Sequence, residues 1–264
     1  SIINRLARRL IETRRPCVNS FGIKRRRVVG MIQHKVGRQN DRVVFAESLS
    51  RGLQIVVDMP CNKVLDRLYV GSIETLTPYY LTLYNIRQIV SVSDCGEGYE
   101  ELVHTTMHNP ATGEDLPLLQ YYVGDLTKSQ ISMHFDSCAL FTHHGRVHDK
   151  NVLVHCNQGV SRSPAIVTAY LMCLADDMEL VEILQALKVM RSKININTAF
   201  ISQLLDFKTK WARKVWSNIK YELGDWWKVG LDRSRLERYS KRFVERGLQL
   251  QEMPEIQRCQ NQDE

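Results

Sequence analysis

An α/β fold with a central, mostly parallel sheet flanked by helices is predicted by three features of this sequence. Strand-like and helix-like apolar patterns alternate from Leu65 onward. A strand-helix-strand unit lies between Leu68 and Val92. A buried run from Asn151 to His155 leads through a short polar loop into an almost wholly apolar segment starting at Ser163-Pro164.

In order, Leu68-Tyr69-Val70 and Gln88 to Val92 have the length and β-branched content of short buried strands, and Glu74 to Tyr84 has helical spacing between them. Leu102 to Met107 and Tyr121-Tyr122-Val123 are further strands, separated by a Pro- and Gly-containing loop at Asn109 to Pro117. Ser132 to His143 reads as a helix and Asn151 to His155 as a buried strand. Pro164 to Ala175 is apolar on nearly every face, with Pro164 in the first turn, where its missing N–H costs nothing. It is expected to be a central, buried helix. Leu180 to Met190 and Thr198 to Trp211 are amphipathic, with Val181, Leu184, Leu187 and Phe200, Leu204, Leu205 on their inner faces. The tail is helical and Trp-rich. Trp211, Trp216, Trp226 and Trp227 fall within 17 residues, and a charged helix with Leu236, Tyr239 and Phe243 follows at Asp232 to Arg246. The aromatic cluster reads as packing against the core, with partner docking as the alternative.

With 44% apolar and 25% charged residues, the chain has the composition of a globular protein able to bury a core, which excludes bulk disorder. The longest nearly apolar stretch, Ala165 to Ala175, is about half of what a membrane-spanning helix requires, so no transmembrane segment is expected. Seven scattered cysteines fit a reducing, intracellular compartment. The histidines His104, His108, His143, His144 and His148 have no Cys or carboxylate at ligand spacing, so no metal and no cofactor is expected.

The net charge of +7 is unevenly placed: residues 1 to 60 hold 13 Lys/Arg against 4 Asp/Glu, whereas 61 to 210 hold 12 against 16. Residues 1 to 27 carry nine Lys/Arg and one acid, Glu12, with Ile2, Ile3, Leu6, Leu10 and Ile11 near helical spacing. Such a basic amphipathic helix suits a mitochondrial targeting segment, an RNA-binding arm, an anionic membrane surface or a solvated tail. On this basis a mitochondrial location is favoured over a cytoplasmic one.

The chemistry is concentrated in His155-Cys156-Asn157-Gln158-Gly159-Val160-Ser161-Arg162-Ser163. A cysteine, five residues and an arginine between a buried strand and a helix N-terminus form an anion cradle, in which the loop amides of Asn157, Gln158, Gly159, Val160 and Ser161 point at a phosphate. Arg162 can hold two phosphate oxygens at once, which lysine cannot. Gly159 lets the backbone fold tightly around the group. The same positive field favours a Cys156 thiolate, able to attack phosphorus and form a phosphocysteine. Ser163 is placed to hydrogen-bond the sulfur when it is expelled.

This segment resembles the signature loop of the protein tyrosine phosphatase superfamily, and Ser163-Pro164 with Ala169-Tyr170-Leu171-Met172 resembles its dual-specificity branch. The similarity extends over about residues 61 to 211, helped by Leu68-Tyr69-Val70-Gly71-Ser72, Arg191 to Phe200 and Gln203-Leu204. It implies a protein tyrosine phosphatase-like fold, with a dual-specificity catalytic domain at 61–211 between a basic extension, 1–60, and a helical extension, 212–264. It also implies a general acid on a loop about thirty residues before the cysteine, a place filled by Asp125, 31 residues upstream. His155 would orient the loop and tune the thiolate. Cys95 lies where some relatives keep a cysteine that forms a disulfide with the nucleophile, although a packed thiol is the default reading.

The Trp-Pro-Asp loop and phosphotyrosine-recognition segment of tyrosine-specific enzymes are absent, which favours a shallow, dual-specificity pocket. Ser192 and Ala199 replace the family's usual Pro and Gly and are expected to affect packing alone. The loop interior has no added lysine, so a phosphoprotein substrate is favoured over a polyphosphorylated lipid. The expected activity is hydrolysis of phosphotyrosine and phosphoserine/threonine through a phosphocysteine intermediate. The alternative is a phosphatase fold retained as a structural or assembly component of a ribonucleoprotein such as a mitochondrial ribosome, docked through residues 1–60. Removal of a 5′ phosphate from RNA ranks below both.

Overall fold

The computed structural model describes residues 36–39, 42–46, 54–94, 103–224, 227 and 229–250. The expected helix at residues 1 to 27, Cys95 and Trp226 lie outside these. Three strands that the sequence reading did not anticipate, β1 (Val36–Gln39), β2 (Arg42–Ala46) and β3 (Gln54–Asp58), form a small sheet in the order β1-β2-β3.

The main sheet has six strands: β4 (Cys61–Leu65), β5 (Leu68–Ser72), β6 (Ile86–Ser93), β7 (Val103–Asn109), β8 (Glu114–Tyr122) and β9 (Asn151–Cys156), in the order β4-β5-β9-β6-β8-β7. The four inner strands are parallel, and β4 and β7 close the edges in antiparallel fashion. This is the mostly parallel sheet that the alternating pattern predicted. Nearly continuous buried runs such as Ile89 to Val92, broken only by Ser91, and Val152 to Val154 are required because both faces are covered.

Alternation along β9 divides the core. Val154 faces the larger cluster, built around α3 (Arg162–Leu174), and Leu153 faces the smaller one with Leu81, Ile86 and Leu116. Every residue from Arg162 to Cys173 is buried, so α3 is the central helix that its all-round apolar character foretold. Burying each of its larger aliphatic side chains contributes roughly 1.5–3 kcal/mol relative to exposure. Around α3 lie α2 (Phe135–Val147), α4 (Leu180–Met190), α5 (Thr198–Lys210) and α6 (Ala212–Glu222), and α7 (Arg233–Glu245) packs along α4. No helix among the described residues is long and apolar enough to cross a membrane.

Two expected elements are corrected. The helix foreseen from Glu74 to Tyr84 is a 3-10 turn, Ile73–Leu76, followed by the short α1 (Pro78–Leu83). Pro78 forces Thr77 into an extended conformation (ψ 144°), and the Thr77 hydroxyl then caps α1 by accepting from the Tyr80 amide. The loop foreseen from Asn109 to Pro117 is a tight turn, with Gly113 at φ 71°, and β8 begins at Glu114. Pro117 is tolerated because the β6 ladder starts only at Leu118.

The C-terminal segment is tied down by polar contacts. Buried Arg146 donates to the Asp66 carbonyl, the Tyr170 hydroxyl and the Gly230 carbonyl. Arg235 donates to the Val64 carbonyl at 2.8 Å. Trp216 sits edge-on to buried His143, the packing role expected for the aromatic cluster, whereas Trp211 and Trp227 are exposed.

Candidate active site

Cys156 ends β9 and Arg162 opens α3, so residues 157–161 form the crossover between the central strand and the central helix. The fold thus places the loop at the carboxyl end of a parallel sheet, against a helix N-terminus, where amide dipoles favour an anion. Two glycines make the close packing there sterically feasible. Gly159 has φ 66°, and a Cβ on it would lie 2.6 Å from the Gly71 carbonyl group; a Cβ on Gly71 would lie 2.6 Å from that of Cys61.

Donors converge on the buried sulfur. The Gly159 amide and the Ser163 hydroxyl each reach Cys156 Sγ at 3.2 Å. Burial alone pushes the thiol up, but the Ser163 hydroxyl and amide, the Arg162 charge and the Val160 amide outweigh it and hold Cys156 below the ordinary thiol value. The opposite holds for Cys138 and Cys173, whose thiols burial drives well upward, that of Cys173 to about 12. Replacing Ser163 by alanine is therefore expected to move the pH midpoint for alkylation of Cys156 by iodoacetate upward; an unmoved midpoint would show that the hydroxyl does not stabilise the thiolate.

His155 has another environment. Successive strand residues point to opposite faces, and His155 pairs with Gly71 on β5 and Ser91 on β6 on the side of the sheet away from the thiol. Neither ring nitrogen has a hydrogen-bond partner among the described residues. Burial pushes the imidazole down to about 4, so the ring is neutral at pH 7.

Asp125 is exposed and close to the loop. Its Oδ1 accepts from the Ser161 hydroxyl at 2.7 Å and from the Asn197 amide group at 2.9 Å. The Ser161 oxygen also accepts from the Asn197 backbone amide at 3.2 Å, which closes the tether. Asn197 falls in the segment Arg191 to Phe200 that resembles the family. It uses both ends of its amide, since Oδ1 also caps α5 by accepting from the Phe200 amide. Asn197→Ala should cost about 1 kcal/mol of stability through the lost cap. It should also lower kcat about tenfold by loosening Asp125, a part of the roughly 10²- to 10⁴-fold expected of a positioned general acid. Thermal melts and steady-state kinetics check the two effects separately.

Two further residues escaped the sequence reading as parts of the site. Buried Arg191 donates to the Gly159 carbonyl at 2.8 Å and to Asn62 Oδ1 at 2.6 Å, bracing the loop from beneath. Asp94, at the end of β6, accepts from Arg162 Nη1 at 2.6 Å and Nη2 at 3.1 Å, and from Asn157 Nδ2 at 2.6 Å. Among the described residues no three His, Cys, Asp or Glu side chains group as metal ligands.

The description "Dual specificity phosphatase, catalytic domain" matches residues 68–210. The chain is similar to dual specificity protein phosphatase 15 of Mus musculus, at 32% identity over 62% of this chain and 64% of the relative. It is also similar to dual specificity protein phosphatase 22-A of Danio rerio, at 34% identity over 56% and 65%. It therefore spans slightly less than two thirds of the length of these relatives. Among solved structures, that of DUSP15 superposes with a TM-score of 0.53 at 30% identity, covering 62% of this chain and 97% of that one. A mouse putative dual specificity phosphatase complexed with zinc tungstate shares the fold, with a TM-score of 0.50, 24% identity and coverage of 63% and 98%. On its central strand, its cysteine-to-arginine loop and this match, the chain belongs to the dual specificity phosphatase family.

Proposed function

We propose that this protein hydrolyses phosphotyrosine and phosphoserine/threonine in proteins through a phosphocysteine intermediate. The observation that carries this reading is the set of donors converging on a thiol held below its ordinary range, inside a loop closed by Arg162. In the first step Cys156 Sγ attacks phosphorus, the S–P bond forms and the ester P–O bond breaks. Asp125 protonates the leaving oxygen through Oδ2, since Oδ1 already holds two donors. In the second step water attacks phosphorus, Asp125 takes its proton, and the S–P bond breaks to return the thiolate, which Ser163 receives with its hydroxyl. The chain's own loop amides and guanidinium hold the equatorial oxygens in both steps.

Exposure of Asp125 and Gln158 supports a shallow rim that accepts short as well as long phosphorylated side chains. The test is turnover of para-nitrophenyl phosphate and of phosphotyrosyl, phosphoseryl and phosphothreonyl peptides by the purified protein in the presence of EDTA. Well-folded protein that turns over none of them would sink the proposal. Contact with RNA or a ribonucleoprotein, and a mitochondrial location, rest on the charge of residues 1–60 alone. RNA binding with the same shallow salt slope before and after removal of the basic residues in 1–27 would end that secondary reading.

A further inference from the structure

Arg162 is 5% exposed at its side chain, and its donors can be accounted for one by one. One edge of the guanidinium, Nη1 with Nη2, faces the two oxygens of Asp94. The second Nη1 proton goes to the Val123 carbonyl at 2.9 Å. Two protons are left, one on Nη2 and the one on Nε, and buried Nε has no partner among the described residues. Those two form the other edge of the fork, the side-on pair that grips two oxygens of one phosphate.

We infer that Asp94 is a positioning residue for phosphate recognition: it holds the end-on edge of Arg162, and with it Asn157, so that the side-on edge is presented to the anion. This rests on the reading of the loop as a phosphate cradle and deepens it. A buried guanidinium with a single backbone acceptor could rotate about its last side-chain torsion; a carboxylate gripping two of its nitrogens removes that freedom before substrate arrives. Asp94 is itself half exposed, 50% at its side chain, so it serves little as core packing. Its third contact, from Asn157 Nδ2, ties the first residue of the loop to the same carboxylate that sets the arginine.

The test uses the full chain and two readouts. The first is protection of Cys156 against iodoacetate by inorganic phosphate, which gives phosphate affinity without turnover; the second is kcat and KM for para-nitrophenyl phosphate. Asp94→Ala should weaken phosphate protection about tenfold and lower kcat/KM about 10- to 100-fold. The near-isosteric Asp94→Asn should lie between wild type and Ala, and it keeps the test open should the alanine variant fold poorly. In an Arg162→Lys background, which has no fork to orient, Asp94→Ala should weaken protection no further. Wild-type protection in Asp94→Ala and Asp94→Asn would overturn the inference, as would equal losses from Asp94→Ala with and without Arg162→Lys, which would show that Asp94 acts independently of the fork. Because protection needs no turnover, a catalytically silent wild type would sink the proposed function and still leave this inference decided.

Discussion

Cys156→Ser is expected to abolish turnover, by at least about 10⁴-fold, with inorganic phosphate still bound. The size of the effect follows from what surrounds the side chain. A thiol held below its ordinary range ionises without a base, and the donors on Sγ serve that ionised form. A serine hydroxyl in the same place would need a base to take its proton in the first step, and none is at hand. His155 lies on the opposite face of the sheet, both oxygens of Asp94 are taken by Arg162 and Asn157, and Asp125, which gives a proton to the leaving oxygen in that step, cannot also take one. Single-turnover kinetics with para-nitrophenyl phosphate, beside calorimetric titration with inorganic phosphate, separate lost chemistry from lost binding. Residual turnover within tenfold of wild type would mean that the nucleophile lies elsewhere.

What could be read from the sequence was what is contiguous in it. The nucleophile, the loop glycine, the arginine and Ser163 stand within eight consecutive positions, and the strand and helix that carry them have unmistakable apolar patterns. Asp125 could be found because the family fixes its approximate distance from the cysteine. The residues that hold these groups in place were invisible for a physical reason. Asp94 lies 68 residues from Arg162, Asn197 lies 72 from Asp125, and Arg191 lies 32 from Gly159, so each contact exists only once the sheet and helices are assembled. An aspartate after a strand or an asparagine before a helix reads locally as a turn or a cap. Asn197 is indeed a cap, and its second hydrogen bond cannot be inferred from that role. The misread secondary structure has local causes. Pro78 interrupts an otherwise helical pattern, and a Pro in β8 disguised a strand that overhangs its neighbour.

The largest expected effect on stability comes from His155. Its folded value of about 4 lies well below the ordinary 6.5, so an unfolded chain takes up this proton as the pH drops below about 6.5 while the folded chain refuses it until about 4. Stability due to this group is therefore complete above pH 6.5 and is lost as the pH falls through that window. At about 1.4 kcal/mol per unit, the loss by pH 4.5 is on the order of 2–3 kcal/mol. Carboxylates lose stability in acid as well, so the measurement is a difference: urea unfolding of wild type and His155→Asn at pH 7.5 and 4.5. Whatever asparagine costs at pH 7.5, wild type should lose on the order of 2–3 kcal/mol more than the variant on acidification; parallel losses would mean that the imidazole finds a way to be protonated in the folded state. Position makes this more than a matter of stability. His155 precedes the nucleophile on β9 and pairs with Gly71, whose carbonyl stands against Gly159. A charge forced onto that ring strains the strand that carries the phosphate loop, and acid inactivation of the wild type should accordingly begin at a higher pH than in a variant with nothing to titrate there.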